Sequence, residues 1–442
     1  MINWRSNYAF ALYRDTESRW SEARLILGSF LIILLVGTLF LVQPSSHNGE
    51  VTFINALFTA TSAISVTGLG VVDTGTAFTL QGQIILLMLM EIGGLGQMTM
   101  TLLLIAMFSK RVGLRQQILA KEALGQEGSV NIIQLVKRIV LFALIAQLIG
   151  TAIMAIRWVP EMGWGHGLYV SFFHAVSAFN NAGFSLFANN LIDYRDDPII
   201  SLTIPALLIL GGLGFTVIVD LVRNRRWRKL KLHSKLMLLM TPGLLLLGTL
   251  MFWLLEHNNP ATFGNAGPGG QLMAAFFQSA TARTAGFNTV DIGQMVPASL
   301  LFMMMLMFIG AGATSTGGGI KVTTFAVVLL ATRAFLTKRP HVTAFGRTLS
   351  PQIVTRSLAI IIVSTMVLML AMFLLMLTES QPFDKIMFET VSAFATVGLS
   401  TGITASLSEP GKLILVLVMI CGRLGPLTLA FMLARPVETR IR

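Results

Sequence analysis

The chain has 442 residues, of which 54% are hydrophobic and only 12% are charged. Soluble globular proteins carry roughly twice that charged fraction, so the composition excludes an ordinary soluble domain. Several apolar runs approach the roughly 20 residues that a helix needs to cross a bilayer; they include residues 23–42, 139–156, 236–255 and 358–377. The sequence therefore predicts a membrane protein with several spans.

The net charge of +12 is distributed unevenly along the chain. Of the 32 Lys and Arg residues, 25 lie in five segments, namely 1–24, 109–138, 222–235, 332–356 and 435–442. Basic loops mark the cytoplasmic side of a membrane, so both termini (residues 1–20 and 435–442) are predicted to be cytoplasmic. We interpret the basic segments as topology signals and expect no nucleic-acid partner; the lipid bilayer is the expected surrounding.

A short amphipathic segment that ends in glycine occurs four times, and the copies align without a gap. They are residues 53–68, 168–183, 271–286 and 383–398, each with a phenylalanine ten residues before the glycine. These segments are too short to span a bilayer. Irregular backbone at membrane depth is tolerated only where protein or a water-filled cavity covers it. We therefore predict re-entrant helices, each followed by a loop, around a central pore.

In chain order, the first unit is an outer helix (21–42), a re-entrant helix (52–66) and an inner helix (78–108). The second has the same elements at 132–159, 167–180 and 198–222, the third at 235–256, 270–283 and 296–333, and the fourth at 350–378, 383–395 and 410–434. The predicted repeats span residues 21–108, 132–222, 235–333 and 350–434. The predicted fold class is an all-α membrane protein with four parallel, pseudo-fourfold repeats of outer helix, re-entrant pore helix, loop and inner helix around a central pore.

A second pattern supports the same division. Each inner helix carries a glycine at a nearly fixed distance from the loop glycine before it, with separations of 25, 28, 24 and 24 residues. The inner-helix glycines are Gly93, Gly211, Gly310 and Gly422. Because all four units run in the same direction, the arrangement differs from the inverted repeats of many secondary transporters.

We call the three residues that end at each repeated glycine (66–68, 181–183, 284–286 and 396–398) glycine loops 1 to 4. Glycine permits backbone conformations that a Cβ makes costly, so consecutive carbonyl groups can turn toward one axis. A ring of carbonyl oxygens replaces the hydration shell of a potassium ion, whereas a site without carboxylates does not favour a divalent ion. The predicted selectivity filter, with K+ held at its glycines, consists of Val66, Thr67, Gly68, Asn181, Ala182, Gly183, Thr284, Ala285, Gly286, Thr396, Val397 and Gly398.

The third inner helix contains a glycine-rich segment, which we define as residues 310–321. Glycine costs about 1 kcal/mol in a helix interior, and Ser and Thr side chains compete with helical hydrogen bonds. The segment is therefore predicted to be unwound within the membrane. Close packing of small residues in an intact helix is the alternative, and it fits residues 211–214 better. A phosphate-binding loop is disfavoured, because no strand precedes the segment. The predicted gate residues are Gly310, Gly312, Thr314, Ser315, Thr316, Gly317, Gly318, Gly319, Lys321 and Arg423.

Charged side chains inside a membrane are functional candidates. Arg423 aligns with the depth of the glycine-rich segment and is expected either to bond its carbonyl groups or to form a positive barrier; Glu91 could pair with it. His174 and Glu389 follow the repeated phenylalanine and are expected to brace the re-entrant helices by hydrogen bonds. Arg283 is expected to anchor the third glycine loop from behind.

The glycine loops with their flanking residues, FNNAGFSL, ARTAGFNT and FATVGLSTG among them, resemble the four filter segments of the Trk/Ktr/HKT superfamily of potassium transporters. The likeness spans nearly the whole chain. The single outer helix before the first loop, and the length, resemble the KtrB branch rather than TrkH. In the family, the filter glycines correspond to the four loop glycines named above. A serine replaces the first of them in sodium-selective plant relatives, whereas this chain has Gly68.

The resemblance implies a homodimer with one pore per subunit in a bacterial inner membrane. It also implies potassium uptake, often sodium-dependent, under a cytosolic nucleotide-binding regulatory ring (KtrA-like), with the glycine-rich segment as an intramembrane gate. No organic cofactor is expected. Two other classes are alternatives: an alternating-access transporter for another cation, and a membrane-embedded enzyme using Glu91, Asp220 and His174. Neither inverted halves nor hydrolase or metal-ligand spacing is present in the sequence, so an enzyme is not expected.

Overall fold

The computed structural model describes residues 26–49, 51–96 and 132–425. The described residues up to 96 contain three longer helices, namely α1 (Ile26–Leu41), α2 (Phe53–Ile64) and α3 (Leu80–Gly94), and one short α-helical turn at Thr74–Ala77. The predicted cytoplasmic termini (1–20 and 435–442) and the predicted ends of the first and fourth inner helices (97–108 and 426–434) lie outside the described residues.

The described residues 132–425 contain eleven longer helices. They are α4 (Ile132–Met162), α5 (Trp164–Phe179), α6 (Pro198–Gly212), α7 (Phe215–Arg223), α8 (Leu232–Glu256), α9 (Pro268–Thr281), α10 (Pro297–Phe308), α11 (Val322–Leu336), α12 (Pro351–Thr378), α13 (Phe383–Ala395) and α14 (Glu409–Leu424). A two-stranded antiparallel hairpin, β1 (Thr343–Ala344) and β2 (Arg347–Thr348), connects α11 to α12. The described part of the chain is therefore overwhelmingly helical.

The sequence marks where many of these helices begin. Thr52, Asp197 and Ser408 accept hydrogen bonds from backbone N–H groups in the first turns of α2, α6 and α14, which satisfies donors that a helix start leaves free. Proline occupies the first turn of α6, α9, α10, α12 and α14, where its missing N–H costs nothing.

Three described helices are long and apolar enough to cross a membrane alone, and they lie at Val136–Met162, Leu232–Glu256 and Pro351–Thr378. Helices α6 and α7 together form a fourth candidate that is bent by 88°. The outward faces of the long helices are apolar; on α12, for example, Ile362, Met366, Met369 and Phe373 are exposed. Such faces suit contact with lipid chains.

The short helices α2, α5, α9 and α13 lie inside this outer layer. Their C-terminal halves are almost completely buried. The repeated phenylalanine is buried in three of them (Phe58, Phe173 and Phe388), and in α9 the next residue, Phe277, is buried. Helices α5, α9 and α13 each pack against an outer and an inner helix, and α2 packs against the inner helices α3 and α14. The buried ends of all four short helices thus lead into the glycine loops.

The inner helices differ from the prediction in one respect. The second inner helix was predicted to run unbroken over 198–222, but it ends at Gly212 and restarts at Phe215. Gly214 has a φ of +94°, a value that L side chains rarely adopt, and the equivalent Gly96 and Gly425 have φ of +95° and +87°. The prediction of an unbroken helix over 198–222 was therefore wrong, because glycine ends the helix here, although Gly211 is closely packed against Phe179 O as expected for small residues.

Candidate functional site

The four glycine loops share an unusual backbone conformation. The residue two before each loop glycine is left-handed: Val66, Asn181, Thr284 and Thr396 have φ between +49° and +70°. The loop glycines also have positive φ, with values of +93°, +70°, +78° and +88° for Gly68, Gly183, Gly286 and Gly398. A non-glycine residue rarely adopts positive φ, so four repetitions at the same position indicate one loop geometry used four times.

The loop glycines contact one another in a closed cycle. A Cβ added to Gly68 would lie 2.5 Å from Ala182 O, and one added to Gly183 would lie 2.8 Å from Ala285 O. A Cβ on Gly286 would lie 2.6 Å from Val397 O, and one on Gly398 would lie 2.0 Å from Thr67 O. Real Cβ atoms essentially never approach within 3.0 Å. Each loop therefore needs glycine because the next loop's carbonyl lies against it, and the fourth loop closes on the first.

Hydrogen bonds from the short helices hold two of these loops from behind. The N–H of Gly68 donates to Ser62 Oγ over 3.0 Å, and the N–H of Gly398 donates to Ser392 Oγ over 3.1 Å. These bonds connect loops 1 and 4 to the short helices that precede them.

The buried side chains at positions 174 and 389 brace the chain just beyond the loop glycines. His174 Nδ1 bonds with Val170 O, leaving Nε2 to accept from Ser185 Oγ over 3.0 Å. Glu389 accepts from Ser400 Oγ (2.5 Å), Thr401 N (3.0 Å) and Thr404 Oγ1 (2.9 Å). Both side chains make the hydrogen bonds expected from the sequence, and these bonds join each short helix to the chain that follows its loop glycine.

Three inner-helix glycines pack on the ends of the short helices. A Cβ added to Gly93, Gly211 or Gly422 would lie about 2 Å from the carbonyl oxygen four residues before the loop glycine of the same unit, namely Ile64 O, Phe179 O or Phe394 O (2.1, 1.9 and 1.8 Å). The fourth, Gly310, instead lies against Gly318 O. The third unit departs from the other three because its inner helix is interrupted.

The interruption lies in the glycine-rich segment. Helix α10 ends at Phe308 and α11 begins at Val322, with non-helical chain between them. The segment is bonded to the break in the second inner helix: Gly312 N donates to Gly212 O (2.9 Å), Thr316 N to Gly211 O (3.2 Å) and Phe215 N to Thr314 O (3.1 Å). It is thus a folded element with its own backbone partners.

The glycine-rich segment also packs directly on the glycine loops. Thr316 Oγ1 donates to Asn181 Oδ1 over 3.0 Å. A Cβ on Gly317 would lie 2.0 Å from Thr284 Oγ1, and one on Gly318 would lie 2.1 Å from Thr396 Oγ1. The three contacted side chains are the left-handed residues of loops 2, 3 and 4, so the segment lies against three of the four loops.

Two basic side chains bond to carbonyl groups of this segment. Lys321 Nζ donates to Gly317 O over 2.8 Å, and Arg423 donates to Thr316 O over 2.5 Å and to Gly93 O. The expected bond between Arg423 and a carbonyl group of the glycine-rich segment is therefore present. The expected pairing with Glu91 is not: Glu91 accepts from Gln147 and Asn180, at 2.9 and 2.6 Å. Amides on α4 and at the end of α5 lie closer to this carboxylate than the guanidinium does.

Sequence reasoning missed the bond between Thr316 and Asn181 and the left-handed conformation of Gly96, Gly214 and Gly425. The sequence did contain a sign of these glycine positions, since a glycine recurs three residues after Gly93, Gly211 and Gly422. Nothing in the sequence indicated the hydrogen bond, because it joins residues 135 positions apart.

Conventional metal ligands do not gather anywhere in the described residues: no group of three or more His, Cys, Asp or Glu could hold a metal ion there. The oxygen atoms that the site offers are neutral backbone carbonyls.

Comparisons with known proteins agree with this architecture. A family model described as TrkH, cation transport protein, matches residues 9–439. The chain is 58% identical to the Ktr system potassium uptake protein B of Vibrio alginolyticus, covering 96% of this chain and 94% of that protein. It is 44% identical to the protein of the same name from Bacillus subtilis, covering 98% of each. It is 39% identical to the potassium/sodium uptake protein NtpJ of Enterococcus hirae, covering 95% and 94%.

The fold has a counterpart among solved structures. The crystal structure of the potassium transporter TrkH from Vibrio parahaemolyticus superposes with a TM-score of 0.72 at 19% identity, covering 92% of this chain and 84% of that one. Fold, apolar helices and relatives define a multi-pass membrane transport protein and not an enzyme. More specifically, the chain belongs to the TrkH family of cation transport proteins, which confirms the resemblance inferred from the glycine loops.

Proposed function

We propose that the chain is the potassium-selective translocating subunit of a bacterial K+ uptake system. Two relatives that it matches over nearly their whole length are named potassium uptake proteins. The transported ion is K+, and the four repeats surround one pore. The chain lies in the inner membrane with both termini in the cytoplasm.

The closed cycle of glycine loops carries this proposal. The carbonyls of Thr67, Ala182, Ala285 and Val397 each lie against the glycine of a neighbouring loop. Four neutral oxygens grouped in this way can replace the hydration shell of a large monovalent cation. The ordinary ligands of divalent ions are carboxylates, and the loops contain none.

The gate in this proposal is the glycine-rich segment. It lies against loops 2, 3 and 4, and Arg423 and Lys321 donate hydrogen bonds to its carbonyl groups. A segment in this position blocks the path below the loops, so ions pass only when it moves. Its ends are bonded across Ile309 and Ile320, which lets it move as one unit.

The proposed partners and coupling ion are supported by the names of the relatives and by the family resemblance. Uptake is sodium-dependent, in line with the potassium/sodium uptake protein of E. hirae. Two relatives are named as members of a Ktr system, and the partners proposed here are a second copy of this chain and a cytosolic nucleotide-binding regulatory ring.

Flux measurements test the proposal. The purified chain is placed in liposomes, and uptake of Rb+ and Na+ is measured for the wild type, Gly286→Ser and the control Gly269→Ser. A side chain at Gly286 collides with Val397 O, whereas nothing lies within 4 Å of a Cβ on Gly269. We expect Gly286→Ser to lose the preference for Rb+ over Na+ and Gly269→Ser to keep it. An unchanged preference in Gly286→Ser rejects the carbonyl ring.

A further inference from the structure

Arg283 is a buried cation without an acidic partner. Its side chain is only 8% exposed, and no Asp or Glu lies within 4.0 Å of it among the residues that the structure describes. A guanidinium carries five N–H donors. One of them reaches Thr241 O over a long 3.5 Å, while Nε–H has no partner. A buried donor without a partner is costly.

A second unpaired polar atom lies beside it. Thr241 on α8 is 4% exposed, and its Oγ1 also lacks a hydrogen-bond partner in the described structure. Both residues line one cavity of about 10 Å³, whose other walls are Leu208, Ile209, Gly212, Leu245, Ala280 and Ala311. Two unsatisfied polar groups thus meet in one small space between α6, α8 and α9.

The size and polarity of this cavity match one water molecule. A water needs roughly 10–15 Å³ and two to four polar partners, whereas an apolar cavity stays dry. Arg283 Nε–H supplies a donor and Thr241 Oγ1 supplies an acceptor. A halide ion also accepts from a guanidinium and a hydroxyl, but it is larger than water and fits the cavity less well.

The cavity lies next to the end of α9, just before the third glycine loop. In three units an inner-helix glycine supports the end of the short helix, but in the third unit Gly310 contacts Gly318 instead. The end of α9 is therefore without this support. Arg283 follows α9 directly and precedes Thr284, which has a φ of +70°. Its side chain extends back to α8, where it lies beside Thr241 and connects the start of the third glycine loop to an outer helix.

We propose that the cavity is a binding site for one water molecule that joins Arg283 to Thr241, and that Arg283 is thereby a positioning residue for the third glycine loop. The occupancy of the site is independent of the proposed function. The positioning role rests on that function, because it is measured as ion selectivity.

High-resolution crystallography tests the site. The full chain is crystallised as wild type, Thr241→Val and Thr249→Val, with bromide replacing chloride in a parallel soak. Thr249 is the matched control, since its hydroxyl donates to Leu245 O on the same helix. We expect one peak at hydrogen-bonding distance from Arg283 Nε and Thr241 Oγ1, lost in Thr241→Val and retained in Thr249→Val. An empty site in a wild-type map that shows other buried waters overturns the proposal, and so does an anomalous bromide peak.

Flux tests the positioning role in the same variants. We expect the ratio of Rb+ to Na+ uptake to fall about fivefold in Thr241→Val, the size that fits one lost hydrogen bond, and to be unchanged in Thr249→Val. Thr241→Ser keeps the hydroxyl and should keep both the peak and the ratio. If the wild type shows the peak but Thr241→Val keeps the wild-type ratio of Rb+ to Na+ uptake, the positioning role is overturned. An unselective wild type instead rejects the proposed function and leaves the water site standing.

Discussion

The hydroxyl of Thr316 donates a hydrogen bond to Oδ1 of Asn181 over 3.0 Å, which ties the glycine-rich segment to glycine loop 2. The same hydroxyl lies 3.3 Å from Phe179 O. The other end of the same side chain, Asn181 Nδ2, donates to Thr284 Oγ1 in the next loop over 3.4 Å. A displacement of the segment therefore removes a partner from a residue of the loops themselves.

Replacing Thr316 by valine preserves its shape and removes this donor. We expect ion flux without any regulator to rise about fivefold, because the closed position of the segment loses roughly 1 kcal/mol of hydrogen bonding. The measurement is Rb+ uptake into liposomes. Thr332→Val is the control, since that exposed hydroxyl only donates to Val328 O on its own helix. Equal flux in both variants would show that the bond does not hold the segment.

Arg423 connects the segment to the first inner helix through Thr316 O and Gly93 O. Arg423→Lys retains the charge, but the single ammonium group lacks the planar fork that reaches two carbonyls at once. We expect basal Rb+ uptake to rise about tenfold, since a hydrogen bond to a charged group contributes about 1.5–3 kcal/mol. If the charge alone forms the barrier, Arg423→Lys will behave like the wild type and only Arg423→Gln will leak.

Glu389 holds the segment beyond loop 4 by accepting from Ser400, Thr401 and Thr404. In Glu389→Gln, one accepting oxygen becomes an NH2 group that faces another donor. We expect a loss of about 1–3 kcal/mol of stability from the unpaired groups, visible as a lower midpoint of thermal unfolding in detergent. Asp384→Asn lies at the exposed start of the same helix and should leave the midpoint unchanged. Equal midpoints in the two variants would mean that Glu389 does not brace the loop.

Gly214 allows the 88° bend between α6 and α7. A Cβ there would lie 2.4 Å from Ala313 O, and the φ of +94° is unfavourable for alanine. We expect Gly214→Ala to be destabilised by more than the ordinary cost of about 1–2 kcal/mol for a left-handed residue, and to shift the glycine-rich segment. Gly243→Ala on α8 is the control, because a Cβ there meets nothing within 4 Å. Thermal unfolding and Rb+ flux measure both effects, and wild-type behaviour of Gly214→Ala would show that the bend does not require glycine.

Much of the fold could be predicted from periodicity and repetition. The aligned segments ending at Gly68, Gly183, Gly286 and Gly398 indicated four short buried helices, and the glycines at 310–319 indicated an unwound stretch. Those features are local, since they depend on what glycine does to its own backbone. Contacts between distant units were not available from the sequence. The pairing of Glu91 with Asn180 rather than Arg423 is decided by how α3, α4 and α5 pack, and no spacing rule encodes that packing.

The break at Gly214 shows that a local motif can also be visible in the sequence and still be ambiguous. Its glycines were visible in the sequence, but small residues in an apolar run fit both a closely packed helix and a helix end. Gly211 does pack closely against Phe179 O, while Gly214 ends the helix. Only the three-dimensional structure separates these two uses within one short motif.

The most direct measurement is anomalous diffraction from crystals of this chain soaked in rubidium. The account predicts a peak enclosed by the carbonyl oxygens of Thr67, Ala182, Ala285 and Val397. Rubidium bound only elsewhere, with no ion between those four oxygens at a saturating concentration, would contradict the account.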